Sequence, residues 1–403
     1  MSVSVRAPGD PRRWSLGAAA MLAIAVTFLL LLPAGVSLGG PGDGIGLGAL
    51  SRATAWASVA AGVLTLLAAR ASMQEVSPAA WLLIPLALAL ALARMPVLLV
   101  GLLVLAGCSV PALADLPASA GWRRALLFAA LAAAASIAGG SVGRQHGDEL
   151  IAGLVVLSFL VAAGMLPFGW HMVRWLEGAP APIAALVSSA VLPAVIAAAA
   201  ASQPLVASLH EAQRAGAVLG WFGAATAVAG AVYAMGARDW RGLALRTLPG
   251  ELGLALVGVS AFDIRGLQAA ALTLLVLACT RPALVFADVL ASRRGVGLVV
   301  TALALLACAG LPPSLGFPAR LLVISAAGRV GAPLAVLVLV GMVLELAAIA
   351  VVLRRRLGAE QREDRAGPLA GAGAGLAALL ALALVGGGLF PGLLLRFVFQ
   401  LAG

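Results

Sequence analysis

Lysine is absent from this 403-residue chain: all 26 basic residues are arginine. Charge is scarce, at 10% of residues, and tyrosine occurs once. A soluble domain carries about 25% charged and about 45–50% apolar residues. Here the apolar share is 63% and the mean hydropathy is +1.09. Such a chain cannot cover a water-facing surface, and no polar stretch is long enough to fold alone. Cys108, Cys279 and Cys308 each lie inside an apolar run, at spacings that match no zinc or iron–sulfur pattern. His146, His171 and His210 flank apolar runs, and none has a second histidine at helical spacing. No Gly-x-Gly-x-x-Gly opens a strand–helix unit. The expectation is therefore no metal and no cofactor in this chain. No basic stripe interleaved with aromatics occurs, which argues against nucleic acid as a partner despite a net charge of +10.

What is present is a series of apolar runs, mostly of alanine, leucine, glycine and valine. Each is close to the roughly 20 residues that a bilayer span needs. About thirteen are counted: 14–34, 51–69, 79–93, 96–114, 124–139, 148–177, 181–201, 215–236, 243–262, 266–290, 295–328, 331–353 and 368–390. The first ends without a convincing cleavage site and reads as a retained span rather than a signal peptide. Small residues suit close helix contacts within a membrane.

Two runs are too long for one straight helix, and each carries a breaker. The first holds Ala163-Gly164-Met165-Leu166-Pro167-Phe168-Gly169; the second holds Ala309-Gly310-Leu311-Pro312-Pro313-Ser314-Leu315-Gly316-Phe317. Proline removes a backbone donor and glycine loosens the ladder, so Pro167 and the Pro312-Pro313 pair predict discontinuous helices. Both fall in the fourth helix of successive five-helix stretches, 79–201 and 215–353. Paired interruptions of this kind point to an internal repeat in an ion-handling fold. The remaining segments are 1–78, with the N-terminal helices, and 354–403, a charged loop and a last helix.

Arginine placement sets the expected orientation. With the N-terminus cytoplasmic, the loops on that side hold sixteen arginines, the opposite loops hold seven, and Arg246, Arg281 and Arg320 lie inside runs. This bias predicts an N-terminus inside and a bacterial-type inner membrane as the location.

Charges inside spans are costly and are functional candidates by default. They are Arg246, Glu251, Arg281, Arg320 and Glu345. Arg246 and Glu251 share one predicted helix; five residues place them about 140° apart, so a direct pair is possible but strained. Asp288, near a span end, is expected to be solvated. Two readings stand: a polar path through the membrane, or neutralised ion pairs that hold helices together. Arginine does not release its proton in practice, which weakens a relay built on it. The buried acids and arginines are expected to share one partly hydrated polar cavity near the Pro312-Pro313 break.

Three segments carry a resemblance. Leu166-Pro167-Phe168 followed by Trp175-Leu176-Glu177-Gly178-Ala179-Pro180-Ala181-Pro182-Ile183 resembles the Pro-Phe-His and Glu-Gly-Ala-Pro-(Thr/Ala)-Pro-Val region of the antiporter-like membrane subunits of respiratory complex I, nearest to subunit N. Gly310-Leu311-Pro312-Pro313-Ser314-Leu315-Gly316-Phe317 is similar to the family's Gly-Leu-Pro-Pro-x-x-Gly-Phe. Asp239-Trp240-Arg241-Gly242-Leu243-Ala244 through Gly250-Glu251-Leu252-Gly253 resembles its Asp-Leu-Lys-Arg-Leu-Leu-Ala and Gly-His/Gln-Leu-Gly segment. The matches run in family order over about residues 79–355. Glu177, Pro180 and Pro182 form the motif loop.

The resemblance implies an all-α polytopic membrane protein with two inverted five-helix repeats, each with a broken helix. It implies fourteen helices in the family, so thirteen spans suggest that the family's first helix is missing here. The family's charged line mostly does not carry over. Its first-unit glutamate falls near Leu103, and its lysine before the first break on Ala162. The lysine or histidine after the motif loop falls near Leu192. The histidine after Pro-Phe falls on Gly169 and the aspartate of Pro-Asp on Arg174. In the second unit, lysine positions fall on Arg241, on Arg281 or Pro282, and on Arg320. The implied function is an antiporter-like, non-redox subunit of a complex I-related, proton-translocating NADH-quinone oxidoreductase with a degenerate proton path and a structural or coupling role. Its partners would be other membrane subunits, including antiporter-like ones, and the lipid bilayer; redox and quinone chemistry would lie in those partners. The alternatives are a subunit of a membrane-bound hydrogenase or inorganic-carbon uptake complex, or an autonomous cation/proton antiporter component.

Overall fold

The computed structural model describes residues 47–72, 76, 80, 82–92, 164–165, 169–202, 209–261, 263–291, 296–357 and 370–400. These form helices and short connections, with no strand among the described residues. The expected runs 14–34, 96–114 and 124–139 lie outside them, as do Leu103, Ala162 and Pro167. In chain order the helices are α1 (Leu47–Ala71), α2 (Leu83–Leu92) and α3 (Gly169–Gly178). Next comes α4, which runs as Ala181–Leu186, a π turn Val187–Val191 and Leu192–Ser202. Then follow α5 (Leu209–Ala234), α6 (Trp240–Ser260), α7 (Ile264–Val285), α8 (Ala287–Ala291), α9 (Val296–Ala309), α10 (Gly316–Val330) and α11 (Ala332–Leu357). The last two are α12, built of Ala370–Leu380, a π turn Ala381–Gly386 and Gly387–Leu389, and α13 (Pro391–Gln400). Among the described residues, six helices are long and apolar enough to cross a membrane.

Local chemistry explains the ends. Asp239 and Asp263 cap α6 and α7, each accepting the N–H three residues on (Gly242 and Gly266, both 2.6 Å). Pro182 sits in the first turn of α4, where its missing donor costs nothing. Helix contacts rely on small residues: α5 and α6 approach closely where Gly230 meets Gly250 and Gly223 meets Gly253. Helix α7 is central, packing on α1, α6, α9 and α10. By contrast α11 turns Val336, Leu339, Val340 and Val343 outward, an apolar face suited to lipid or neighbouring helices.

The second long run is two helices, α9 and α10, separated by 310–315. Gly310 adopts φ +67°, a left-handed conformation that glycine reaches freely. The peptide groups freed by the break are satisfied by protein. Leu311 N–H donates to Leu306 O (3.1 Å), and the Ser314 hydroxyl donates to Leu311 O (2.6 Å). Leu315 N–H donates to Leu384 O (2.6 Å) in the π turn of α12. The same carbonyl also accepts the Gly387 N–H at the end of that π turn, so α12 and the break share one acceptor. Gly164 repeats the device at the first break, with φ +66°. Gly169 begins α3 as Gly316 begins α10.

Candidate functional site

The charged residues of α6, α7, α10 and α11 meet from four helices. Glu251 (α6) and Arg281 (α7) form an ion pair at 2.7 Å, with side chains 4% and 0% exposed. Arg320 (α10) and Glu345 (α11) form a second at 2.8 Å, 13% and 6% exposed. Arg281 also donates from Nη1 to Ala244 O and to Thr247 Oγ1, the latter at 2.9 Å. Pro249 lies one turn further along α6, where it interrupts the helix ladder. Arg320 Nη2 additionally donates to Cys308 O at the end of α9. The break exposes the last carbonyls of α9, and a cation at a helix C-terminus meets their dipoles.

The two pairs meet at a small cavity. A cavity of about 20 Å³ lies beside the break, lined by Glu251, Thr273, Cys308, Gly316 and Arg320 among others, but not by Arg281 or Glu345. That space holds about one water. The expected meeting of the acids and arginines near the break takes the form of two ion pairs beside a small cavity that Glu251 and Arg320 both line.

Arg246 does not pair with Glu251. Its Nε donates to Glu177 Oε1 at 2.7 Å, and its guanidinium lies 4.9 Å from the Tyr233 ring centroid. Five residues put Arg246 and Glu251 on different faces of α6, so each found a partner on another helix. Tyr233 also meets Trp170 edge-on, with ring centroids 4.4 Å apart. The motif loop is held by α6 a second time: Arg241 donates to Leu176 O (3.0 Å) in the last turn of α3 and to Ala179 O just beyond it. Pro180 precedes α4 with an extended backbone (φ −55°, ψ 141°), and Pro182 follows in the first turn. Leu192, at the expected first-unit lysine or histidine position, is fully buried among apolar neighbours, one residue past the π turn.

Asp288 is bound rather than solvated. It accepts from Trp240 N (3.5 Å) and Arg241 N (3.3 Å) and pairs with Arg356. Burial pushes its carboxyl above the ordinary aspartate value of 3.8, while Arg356 pulls the other way. At the opposite end of the helices Arg329 and Asp263 pair at 2.7 Å. Sequence reading missed the partners of Arg241, Asp263 and Asp288. Asp263 alone had a local signal, an aspartate three residues before glycine at a helix start.

A family model described as NADH:quinone oxidoreductase/Mrp antiporter, transmembrane, matches residues 122–345. No curated protein matches the sequence. Among solved structures, the chain is similar to one in the Mrp complex from Dietzia sp. DQ12-45-1b, with TM-score 0.74 and 18% identity over 97% of this chain and 92% of that one. It is similar to a chain of respiratory complex I from Thermus thermophilus with bound Aureothin, with TM-score 0.74 and 21% identity over 96% and 93%. A chain of the membrane-bound sulfane sulfur reductase, an archaeal respiratory membrane complex, gives TM-score 0.79 and 18% identity over 98% of this chain and 74% of that one. At such identities the structural likeness speaks for the fold. The family match covers more than half of the sequence, the broken-helix fold agrees with it, and the chain belongs to the NADH:quinone oxidoreductase/Mrp antiporter transmembrane family as an antiporter-like, multi-pass membrane subunit.

Proposed function

We propose that the chain is a non-redox subunit of a complex I-related, proton-translocating membrane complex, with a structural or coupling role. It packs beside other antiporter-like subunits, and electron transfer and quinone chemistry belong to partner chains. One observation carries this reading: each glutamate buried in the second unit is held by a guanidinium, at 2.7 Å for Glu251–Arg281 and 2.8 Å for Glu345–Arg320. A guanidinium stays charged at any physiological pH, so Arg241, Arg281 and Arg320 hold helices and fields in place where the family's lysines would exchange protons. In the first unit Leu192 offers no ionisable group.

The proposed orientation has the N-terminus in the cytoplasm of a bacterial-type cell. Its support is the grouping of arginine-bearing ends: Arg355 donates to Ala237 O (2.7 Å), Arg356 pairs with Asp288, and Arg241 reaches the 176–179 segment. Arg329 and Asp263 gather at the other end. Cysteines placed in 354–367 are expected to resist impermeant labels applied outside intact cells; outside labelling would reverse the orientation.

The decisive experiment is purification of the tagged chain from its native membrane with identification of the attached subunits. Further antiporter-like subunits and an iron-bearing partner are expected. An iron-free monomer or homo-oligomer would favour the second reading, an autonomous cation/proton antiporter component, which the likeness to the Mrp complex chain keeps open. Hydrogenase or inorganic-carbon uptake partners would redirect the assignment of the parent complex.

A further inference from the structure

We propose that the crevice between α3 and α5 binds an anionic phospholipid, with an acyl chain in the crevice and the phosphate among the arginines at its end. The crevice is lined by Trp170 of α3, Tyr233 of α5 and Pro249 of α6. Gly169, Ala229 and Gly230 complete the lining and are too small to fill it. Trp170 is 38% exposed and Tyr233 half-buried, so the crevice opens outward. For a multi-pass membrane subunit that outside is lipid or another helix. The charge at one end of the crevice decides between them.

Tyr233, the single tyrosine of the chain, stands where the apolar lining gives way to charge. Its ring meets Trp170, with centroids 4.4 Å apart, and the Arg246 guanidinium lies 4.9 Å from its centroid. Tryptophan and tyrosine favour this level of a bilayer, between the apolar core and the headgroups. On α3, Arg174 follows Trp170 by one turn and is exposed, and Glu177 follows Arg174 by three residues. Just past α5, Gly236 is exposed and so close to Arg246 that a Cβ there would stand 3.0 Å from Nη1. Arg238 is exposed next to Ala237, whose carbonyl accepts from Arg355 (2.7 Å). Two acids share this end of the helices. Glu177 already pairs with Arg246, and Asp239 caps α6. Among the described residues Arg174 and Arg238 enter no ion pair. The cations thus outnumber the acids, and Arg174 and Arg238 keep their donor forks free, a geometry that matches phosphate. A helix laid along this crevice would leave those guanidiniums without a counter-charge unless it carried acids of its own. A phospholipid brings both halves of the match in one molecule, and basic pockets between spans hold anionic headgroups in this way.

The site depends on the fold of this chain and not on the identity of its parent complex. The test is native mass spectrometry of the full-length protein, extracted in detergent, stripped of lipid and titrated with phosphatidylglycerol. One molecule is expected to bind more tightly than any that follow. Phosphatidylcholine, whose headgroup has no net charge, and glycerol phosphate, which has no acyl chain, should each bind more weakly. The double variant Arg174→Gln, Arg238→Gln is expected to bind phosphatidylglycerol about tenfold more weakly. Both side chains are exposed and outside any ion pair, so its thermal unfolding without lipid should match that of the native protein. Ala229→Leu fills the crevice without touching a charge and should weaken binding too; if one variant fails to accumulate, the other decides. Unchanged affinity in either variant would overturn the site, as would phosphatidylcholine binding as tightly as phosphatidylglycerol. Glycerol phosphate binding as tightly as the lipid would give the arginines to a soluble phosphate instead. Efficient crosslinking of Ala229→Cys to another subunit in the native membrane would make the crevice a protein contact and reject the lipid.

Discussion

The two glycine turns of the broken helices share a backbone and differ in what lies against them. Gly164 and Gly310 adopt φ +66° and +67°, and each is followed by a glycine that opens the next helix. Against Gly164 lies Met172, whose Sδ and Cε come within 2.6 Å of where a Cβ would stand. Against Gly310 lies Arg320, whose side chain crosses the turn to reach Cys308 O and Glu345. The comparison separates two tasks. Glycine and the following residues make the gap in the helix; the side chain laid over it decides whether the gap is greasy or charged. A flexible thioether fills space at the first break. At the second, a guanidinium answers exposed carbonyls and ties the turn to α11.

The largest effect is expected where charge is fully enclosed. Arg281→Met removes the partner of Glu251 and the donor to Ala244 O and Thr247 Oγ1. Stranding one member of a buried pair costs about 3–5 kcal/mol. The double variant Arg281→Met, Glu251→Met is expected to recover most of that loss, since an apolar pair of similar volume is often neutral. Thermal unfolding of the detergent-extracted protein measures the cycle. A double variant as unstable as the sum of the singles would show that the two residues do not act as a pair.

Next in size is a test of the breaks themselves. Placing a side chain on a left-handed residue costs about 1–2 kcal/mol in either glycine. Gly164→Ala should cost little more, because the atoms in its way are the free end of Met172. Gly310→Ala meets Arg320 at Cδ and Nε, in the middle of a side chain anchored at its tip. Its loss of thermal stability should be clearly greater than that of Gly164→Ala. Equal losses would mean that backbone strain alone sets the cost and that Arg320 yields easily.

The helices of this fold were largely legible as apolar runs, because burial in lipid demands length and hydropathy that composition displays directly. The break at 310–315 was legible too, since Gly310, Pro312 and Pro313 act through local backbone chemistry. The pairing of charges was not. Arg246 and Glu251 look like neighbours along the chain, yet Arg246 reaches Glu177 and Glu251 reaches Arg281. Those partners stand 69 and 30 positions away, and only helix packing brings them close. The π turns in α4 and α12 left no mark in the sequence pattern either; one of them supplies the Leu384 carbonyl that closes the second break. Asp288 looked like a solvated end residue because its partners, the N–H groups of α6 and Arg356, come from elsewhere in the chain.

The smallest expected effect sharpens the contrast between enclosed and exposed pairs. Glu177 and Arg246 form a bridge as short as Glu251 and Arg281, 2.7 Å in both cases, but with side chains 28% and 23% exposed. Water and salt reach the outer pair, so its contribution is roughly 0–1 kcal/mol. Arg246 keeps a second contact, the face of Tyr233 at 4.9 Å, which does not need the carboxylate. Glu177→Gln is therefore expected to lower thermal stability slightly at low ionic strength and to be indistinguishable from the native protein at high salt. Arg246→Met should cost more than Glu177→Gln, because it removes the ring contact along with the bridge. The buried pair should behave differently: the penalty of Arg281→Met is expected to persist at high salt, where ions cannot follow. A Glu177→Gln loss that survives high salt would place that bridge with the enclosed pairs.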